Sequence, residues 1–140
     1  MPNYRKISRK NVYYYAHLQR LRDAEVLFEN RRWIGCIYLA GIAAECILKY
    51  AVCVREDVIH LEDAWPDLLS ARGHELDLLL ERSGLIFSHT DRDIAQCFRR
   101  IQSWSTHIRY TSSDGQQIDA EQFLNAAKAI CKWVISKTYR

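Results

Sequence analysis

The sequence has few residues that break helices: its 140 residues include only two prolines and five glycines. A β-sandwich or barrel needs frequent turns, so this scarcity favours long helices. Hydrophobic residues make up 49% and charged residues 26% of the chain, which excludes the disordered class and provides enough apolar surface for a core. We therefore expect a single all-α domain over residues 1–140, with its core at about residues 8–139.

An excess of charge of one sign is also missing. The formal net charge is +3, which permits contact with nucleic acid but is too small to predict it. Basic residues cluster beside Tyr4, at Arg5, Lys6, Arg9 and Lys10, and this cluster is interpreted as a solvated terminus. The first ten residues contain no apolar run, so we expect no signal peptide and a cytoplasmic location.

No CxxC pair occurs among the cysteines, which are odd in number: Cys36, Cys46, Cys53, Cys97 and Cys131. All five lie among apolar residues, which predicts reduced, buried thiols in a cytosolic protein. His, Cys and carboxylate residues show no metal-ligand spacing, and no glycine-rich phosphate loop is present. We therefore expect neither a metal nor a cofactor.

Apolar residues recurring every three or four positions predict five helices. Their expected ranges are 8–30, 33–55, 74–82, 91–108 and from 119 onward, where Asp119 and Gln122 are predicted to form a capping box. Residues 56–72 are expected to be irregular, with Pro66 as a breaker. Short connections between such helices predict a four- to five-helix up-and-down bundle.

The second predicted helix is apolar enough to be mistaken for a membrane span. Glu45 and Lys49 lie near its middle, and each would cost roughly 2.5–3.5 kcal/mol at a bilayer centre. We interpret this helix as the core of a soluble bundle. Glu45 precedes Lys49 by four residues, the order that favours an ion pair on a helix. Either these buried charges have a function, or they form a structural pair with Lys49 extending outward to solvent.

Two further groups of polar residues are candidates for function. His74 follows Gly73 at the expected start of the third helix, where a neutral histidine can cap free N–H groups. Residues 104–110 read Trp-Ser-Thr-His-Ile-Arg-Tyr, and an arginine among aromatic rings suits a phosphate or a stacked base. Core packing and compensation of the helix dipole are the structural explanations of the same residues.

In their order along the chain, these segments resemble the HEPN domain (higher eukaryotes and prokaryotes nucleotide-binding). The resemblance rests on Ala40-Gly41-Ile42-Ala43-Ala44-Glu45-Cys46-Ile47-Leu48-Lys49, on Gly73-His74-Glu75-Leu76-Asp77-Leu78-Leu79, and on Trp104 followed by Arg109-Tyr110. It implies a helical bundle that is usually dimeric. It also implies binding roles for Glu45, Lys49, His74, Arg109 and Tyr110, and the aromatic ring of Trp104 makes that residue a further binding candidate. The family's Arg-Tyr is often followed by proline, whereas Thr111 follows here, so the turn is expected to differ.

Catalytic members of that family carry an arginine and a histidine with four to six residues between them. Three pairs here have that spacing: Arg55 with His60, Arg82 with His89, and Arg100 with His107. Only Arg100 and His107 fall on a clear predicted helix, where they would share a face beside Trp104. If Arg109 is the family's arginine instead, Asp114 stands at about the histidine position, which argues against ordinary ribonuclease chemistry.

Two functions are consistent with these residues. One is a nucleotide-, RNA- or partner-binding module of a toxin–antitoxin or defence-type system, with a small nucleotidyltransferase or antitoxin as partner. The alternative is a metal-independent endoribonuclease toxin, in which His107 exchanges a proton with a ribose hydroxyl and Arg100 or Arg109 holds the phosphate. A homodimer is expected for both. The binding module is favoured because three Arg/His pairs of this spacing are close to the number expected by chance.

Overall fold

The computed structural model describes residues 9–65 and 74–138, and the structural statements below concern those residues. The described chain forms six α-helices and a 3₁₀-helix, and its only β-type pairing is an isolated bridge between Arg9 and His60. The elements are α1 (Lys10–Glu29), α2 (Trp33–Glu56), α3 (Leu61–Ala64), α4 (Leu76–Ser83), α5 (Arg92–Ile101), the 3₁₀-helix (Thr106–Tyr110) and α6 (Gln117–Thr138). The all-α prediction is confirmed. The predicted start at Ser8, the part of the basic cluster formed by Tyr4, Arg5 and Lys6, and the residues Pro66 and Gly73 lie outside the described residues.

The centre of the bundle is α2, because it is apolar on nearly every side. It packs against α1, α4 and α6, and more briefly against α3 and the 3₁₀-helix. Ala40, Ala43 and Ala44 are fully buried, and their small side chains let neighbouring helices approach closely. By length and composition α2 would pass for a membrane span, but 72% of its most apolar window is buried inside the bundle. That burial is what a core helix of a soluble protein shows.

The remaining long helices enclose α2. A connection of three residues, 30–32, folds α1 back against α2. α6 covers another side of α2 and also contacts α1 and α5. From α6, Ala127, Ile130 and Val134 enter the core as their spacing predicts. Four of the cysteines are buried as expected, and Cys97 is half-buried.

Three predicted helix boundaries are wrong. The fourth helix, expected to reach residue 108, ends at Ile101, and the chain re-forms as a 3₁₀-helix only at Thr106. The cause is local: the Ser105 hydroxyl accepts the His107 backbone N–H at 3.1 Å and so caps a separate turn. The last helix begins two residues earlier than expected, so Asp119 lies in its first turn and is not its cap.

The third predicted helix, α4, begins at Leu76, which leaves His74 before it instead of within it. The short helix α3 falls in the segment expected to be irregular. With four residues it is too short to show an apolar period, so sequence spacing had no means of detecting it.

Candidate functional site

A cleft of about 460 Å³ opens where α1 ends, α2 begins and residues 109–114 cross them. Its walls are formed by Leu27, Arg31, Arg32, Trp33, Ile34, Gly35, Tyr38, Arg109, Thr111, Ser112, Ser113 and Asp114. Three of these side chains, those of Arg31, Arg32 and Arg109, carry guanidinium groups and only Asp114 carries a carboxylate, so the cleft has a net positive charge. We call it the arginine cleft. Its volume lies in the range of small-molecule pockets, about 300–1,000 Å³.

Arg109 connects the cleft to the aromatic side chains predicted to be functional. Hydrogen bonding to the Tyr38 side chain raises the pKa of Arg109, and Tyr110 adds to the effect. The Arg109 guanidinium also lies 4.9 Å from the centre of the Tyr110 ring, a cation–π distance. Tyr110 itself is 72% exposed, so one aromatic ring beside the arginine remains accessible to a ligand.

The loop that carries Ser112, Ser113 and Asp114 is held against the first turn of α2. Gly115 adopts a φ of +74°, and a Cβ atom there would lie 2.9 Å from Cδ1 of Ile34. Only glycine combines this left-handed backbone with such a close approach. No side chain caps the start of α2, where the backbone N–H groups give a helix N-terminus its partial positive charge. The cleft therefore adds a helix N-terminus to its arginines.

The end of α1 places Arg31 and Arg32 at the cleft by a Schellman motif. The Arg31 N–H donates to the carbonyl of Phe28 at 3.0 Å, and the Arg32 N–H donates to that of Leu27 at 2.8 Å. The motif needs one residue in the left-handed region, which is usually glycine. Here it is Arg31, with a φ of +60°. The chain therefore carries an arginine at a position whose backbone conformation favours glycine.

Glu45, Lys49 and His74 form a second polar group, on the middle of α2. Lys49 Nζ donates to Glu45 Oε2 at 2.9 Å, and His74 Nδ1 lies 2.8 Å from Glu45 Oε1. Burial alone would raise the pKa of Glu45, but the His74 hydrogen bond and the Lys49 charge outweigh it and lower that pKa. Lys49 does not extend outward: it is 6% exposed, and its ammonium lies over the Tyr13 ring at 5.6 Å.

This arrangement suits a structural role. Glu45 and Lys49 are both buried and satisfy each other, and His74, about half exposed, fastens the chain before α4 to α2. The predicted N-cap role of His74 is replaced by this contact, because the helix starts two residues later. Glu45 is seven residues from Tyr38, two helical turns or about 10 Å along the axis, so the network is separate from the arginine cleft.

Trp104 also lies in the core. Its ring is 7% exposed and stacks on Tyr38 with ring centres 6.3 Å apart. A Cβ atom on Gly41 would come within 2.0 Å of the indole Nε1, so Trp104 fits against α2 only because residue 41 is glycine. Trp104 therefore packs against Tyr38 from the core side and leaves little of its own ring accessible to a ligand.

Arg100 and His107 do not share a helix face, because α5 ends at Ile101. The Arg100 guanidinium donates to Oε1 of Gln122 on α6 at 2.9 Å. His107 is exposed on the 3₁₀-helix. Neither residue belongs to the walls described for the arginine cleft. The geometric argument for this catalytic pair is therefore lost.

Sequence reasoning treated Arg31 and Arg32 only as part of a connection and missed their place in the cleft. The available signal was the sequence Asn30-Arg31-Arg32, where a helix-ending turn carries two arginines and no glycine. Ser112 and Ser113 lie between the fourth and fifth predicted helices, and nothing in the sequence shows which surface that connection covers.

Comparison with known proteins gives one match. The family model described as the HEPN domain matches residues 17–138, which include both polar groups and the cleft. No curated protein and no solved structure matches the chain.

Proposed function

The chain belongs to the HEPN domain family, and from that premise we propose that it is a nucleotide- or RNA-binding module that holds phosphate in the arginine cleft. The observation that carries the proposal is the convergence of Arg31, Arg32 and Arg109 on one small cleft. Guanidinium groups present a planar fork of N–H donors that matches phosphate oxygens, and their charge is permanent.

The aromatic side chains of the cleft fit the rest of a nucleotide. Tyr38 and Trp33 line the walls and Tyr110 stands exposed beside Arg109. Bases stack on such rings with little dependence on sequence, at about 1–3 kcal/mol per base. Of the residues predicted to bind, Arg109 and Tyr110 take the recognition role. Trp104 supports Tyr38, while Glu45, Lys49 and His74 hold the scaffold together.

The biological setting we propose is a toxin–antitoxin or defence-type system with a small nucleotidyltransferase or antitoxin as partner. Its support is the family resemblance. The Glu45, Lys49, His74 and Arg109-Tyr110 positions match the polar positions of the family's non-toxin-like branch, and the members of the family include partners of small nucleotidyltransferases in toxin–antitoxin pairs. The test is first to read the neighbouring genes for a small nucleotidyltransferase or antitoxin, and then to co-express its product with the chain and purify through a tag on one of the two proteins. Failure of the two proteins to co-purify would argue against this setting.

Binding is tested by fluorescence anisotropy with a labelled oligoribonucleotide and with ATP as competitor. We expect Arg109→Gln to weaken binding about tenfold, the usual effect of losing one charge-assisted hydrogen bond. Arg22→Gln is the matched control, because Arg22 is exposed on α1 and is no part of the cleft wall. Equal affinities of wild type and Arg109→Gln would contradict the assignment of the site.

The same preparations decide the ribonuclease alternative. Total RNA is incubated with the protein without added metal and analysed for fragments, beside the variants His107→Ala and Arg100→Ala. We expect no cleavage and no toxicity on expression. RNA cleavage that disappears in His107→Ala would contradict the proposal of a non-catalytic module and establish the enzyme instead.

A further inference from the structure

We propose that the ligand of the arginine cleft is a terminal phosphate monoester on a nucleoside, as in a free mononucleotide or a phosphorylated RNA end, and not the internal phosphodiester of a strand. This inference rests on the proposed function and narrows it. Its three supports are the charge of the cleft, the backbone conformation of Arg31 and the size of the cleft.

The charge balance favours a dianion. Arg31, Arg32 and Arg109 contribute three positive charges to the walls and Asp114 one negative charge, which leaves a net charge of +2. An internal phosphodiester carries a single negative charge. A phosphate monoester carries about −1.5 to −2 near neutral pH and offers three oxygens as acceptors. Three guanidinium groups can each donate to a separate terminal oxygen, whereas a diester exposes only two non-bridging oxygens.

The second support is the left-handed backbone conformation of Arg31. Only Arg31 and Asp57 combine a side chain with positive φ in the described ranges. Aspartate visits the left-handed region fairly often, but for most residues with a longer side chain this conformation is unfavourable. Glycine would satisfy the Schellman motif without strain. The strained residue lies on the wall of the cleft, where its guanidinium is placed to donate hydrogen bonds to a phosphate.

The size of the cleft fits one nucleotide better than a strand. The cleft has a volume of about 460 Å³, and the 111–114 loop forms one of its walls. Gly115, which follows this loop, packs closely against the Ile34 side chain. A groove that follows a polynucleotide backbone is long and spans several nucleotides. A terminal phosphate can enter a short cleft from its open side with its nucleoside at Tyr38 and Trp33, whereas an internal phosphate must bring chain in on both sides.

The test compares ligands that differ only in the phosphate. Isothermal titration calorimetry measures the affinities of AMP, 3′,5′-cyclic AMP and adenosine. Fluorescence anisotropy measures the affinity of one oligoribonucleotide in three forms: with a 5′-phosphate, with a 3′-phosphate and with hydroxyl ends. We expect AMP to bind at least about tenfold more tightly than the cyclic diester, or the phosphorylated strands at least about tenfold more tightly than the unphosphorylated one. Preference for AMP identifies free nucleotide as the source, and preference for a phosphorylated strand identifies the RNA end.

The outcomes separate this inference from the proposed function. Equal affinity for strands with and without terminal phosphate, together with equal affinity for AMP and the cyclic diester, overturns the monoester and leaves the RNA-binding module standing. Absence of binding to every one of these ligands at millimolar concentration overturns both.

Arg31→Gly supplies the internal test. It removes a guanidinium and relieves the left-handed strain, so we expect the preference for the monoester to fall about tenfold while the melting temperature stays the same or rises by about 3 °C. Arg31→Lys keeps the charge without the fork and should retain part of the preference. Arg22→Gln removes a charge elsewhere and should leave the preference unchanged. A variant Arg31→Gly that keeps the full preference for the monoester overturns the role of Arg31.

Discussion

Replacing Lys49 with methionine tests whether the charges on α2 are a buried network. In the wild type the Lys49–Glu45 pair is only 7–8% exposed in its side chains, with N and O 2.9 Å apart. Methionine fills similar space but leaves the Glu45 carboxylate in the core without its cation. Breaking a buried pair in this way costs about 3–5 kcal/mol. With an unfolding entropy of about 2.1 cal/mol/K per residue, that loss lowers the melting temperature by about 10–17 °C.

The measurement is urea unfolding followed by circular dichroism, with two companion variants. The double variant Glu45→Leu/Lys49→Met removes both charges, so its stability should return to the wild-type value or exceed it by about 1–4 kcal/mol. Lys128→Met breaks the Lys128–Glu25 pair, whose N and O lie 2.7 Å apart but whose side chains are 37% and 45% exposed. Such a pair contributes about 0–1 kcal/mol. If Lys49→Met costs no more than Lys128→Met, the network is solvated and our reasoning is refuted.

Acidification provides an independent check of the same network. The pKa of Glu45 is lower in the folded chain than its ordinary value of 4.5, because His74 and Lys49 together outweigh the effect of burial. A lowered carboxyl pKa stabilises the fold fully above the unfolded-state value, and that stability is lost as the pH falls through the folded-state value. We therefore expect the wild type to lose stability below about pH 4.5 more steeply than the double variant. Identical slopes would show that Glu45 contributes nothing to the acid transition.

Two further predictions concern packing and assembly. Gly41→Ala should destabilise the fold by about 1–3 kcal/mol, because its Cβ would lie 2.0 Å from Nε1 of Trp104. Gly35→Ala, whose nearest contact is the flexible end of Leu27 at 3.1 Å, should be tolerated, and equal thermal melting of the two variants would contradict this difference. The chain is also predicted to form a homodimer, so light scattering at micromolar concentration should give twice the 16.5 kDa protomer mass. Tyr15→Glu, on the exposed apolar side of α1, should shift that mass toward the monomer, and a wild-type monomer would contradict the prediction.

The sequence predicted the central helix well because its signal is long. Both ends of α2 were placed within one residue, and the pairing of Glu45 with Lys49 followed from their spacing in an apolar segment. The partner at His74 is 29 residues away in the sequence, and only the fold brings its ring to Glu45. The family resemblance placed these residues together without indicating which of them would be buried.

The misreading of α5 shows where periodicity fails. Trp104 and Ile108 continue the helical spacing of Ile94, Cys97 and Ile101, yet the helix stops before them. They reach the bundle from a turn and a 3₁₀-helix, which also point apolar side chains inward at intervals of three to four residues. Local capping by a serine decides between these conformations, and an apolar pattern carries no information about capping. The apparent face shared by Arg100 and His107 disappeared for this reason.

The position of α2 at the centre has a consequence for how the protein is made. About 80 residues separate the end of α2 from the end of α6, the helix that covers one of its sides. At about 5–20 residues per second, a ribosome takes roughly 4–16 s to synthesise them. During that interval α2 has α1 available to pack against, while the apolar surface that it later buries against α6 is still uncovered. The most hydrophobic helix of the domain is thus synthesised well before α6, the helix that covers one of its sides.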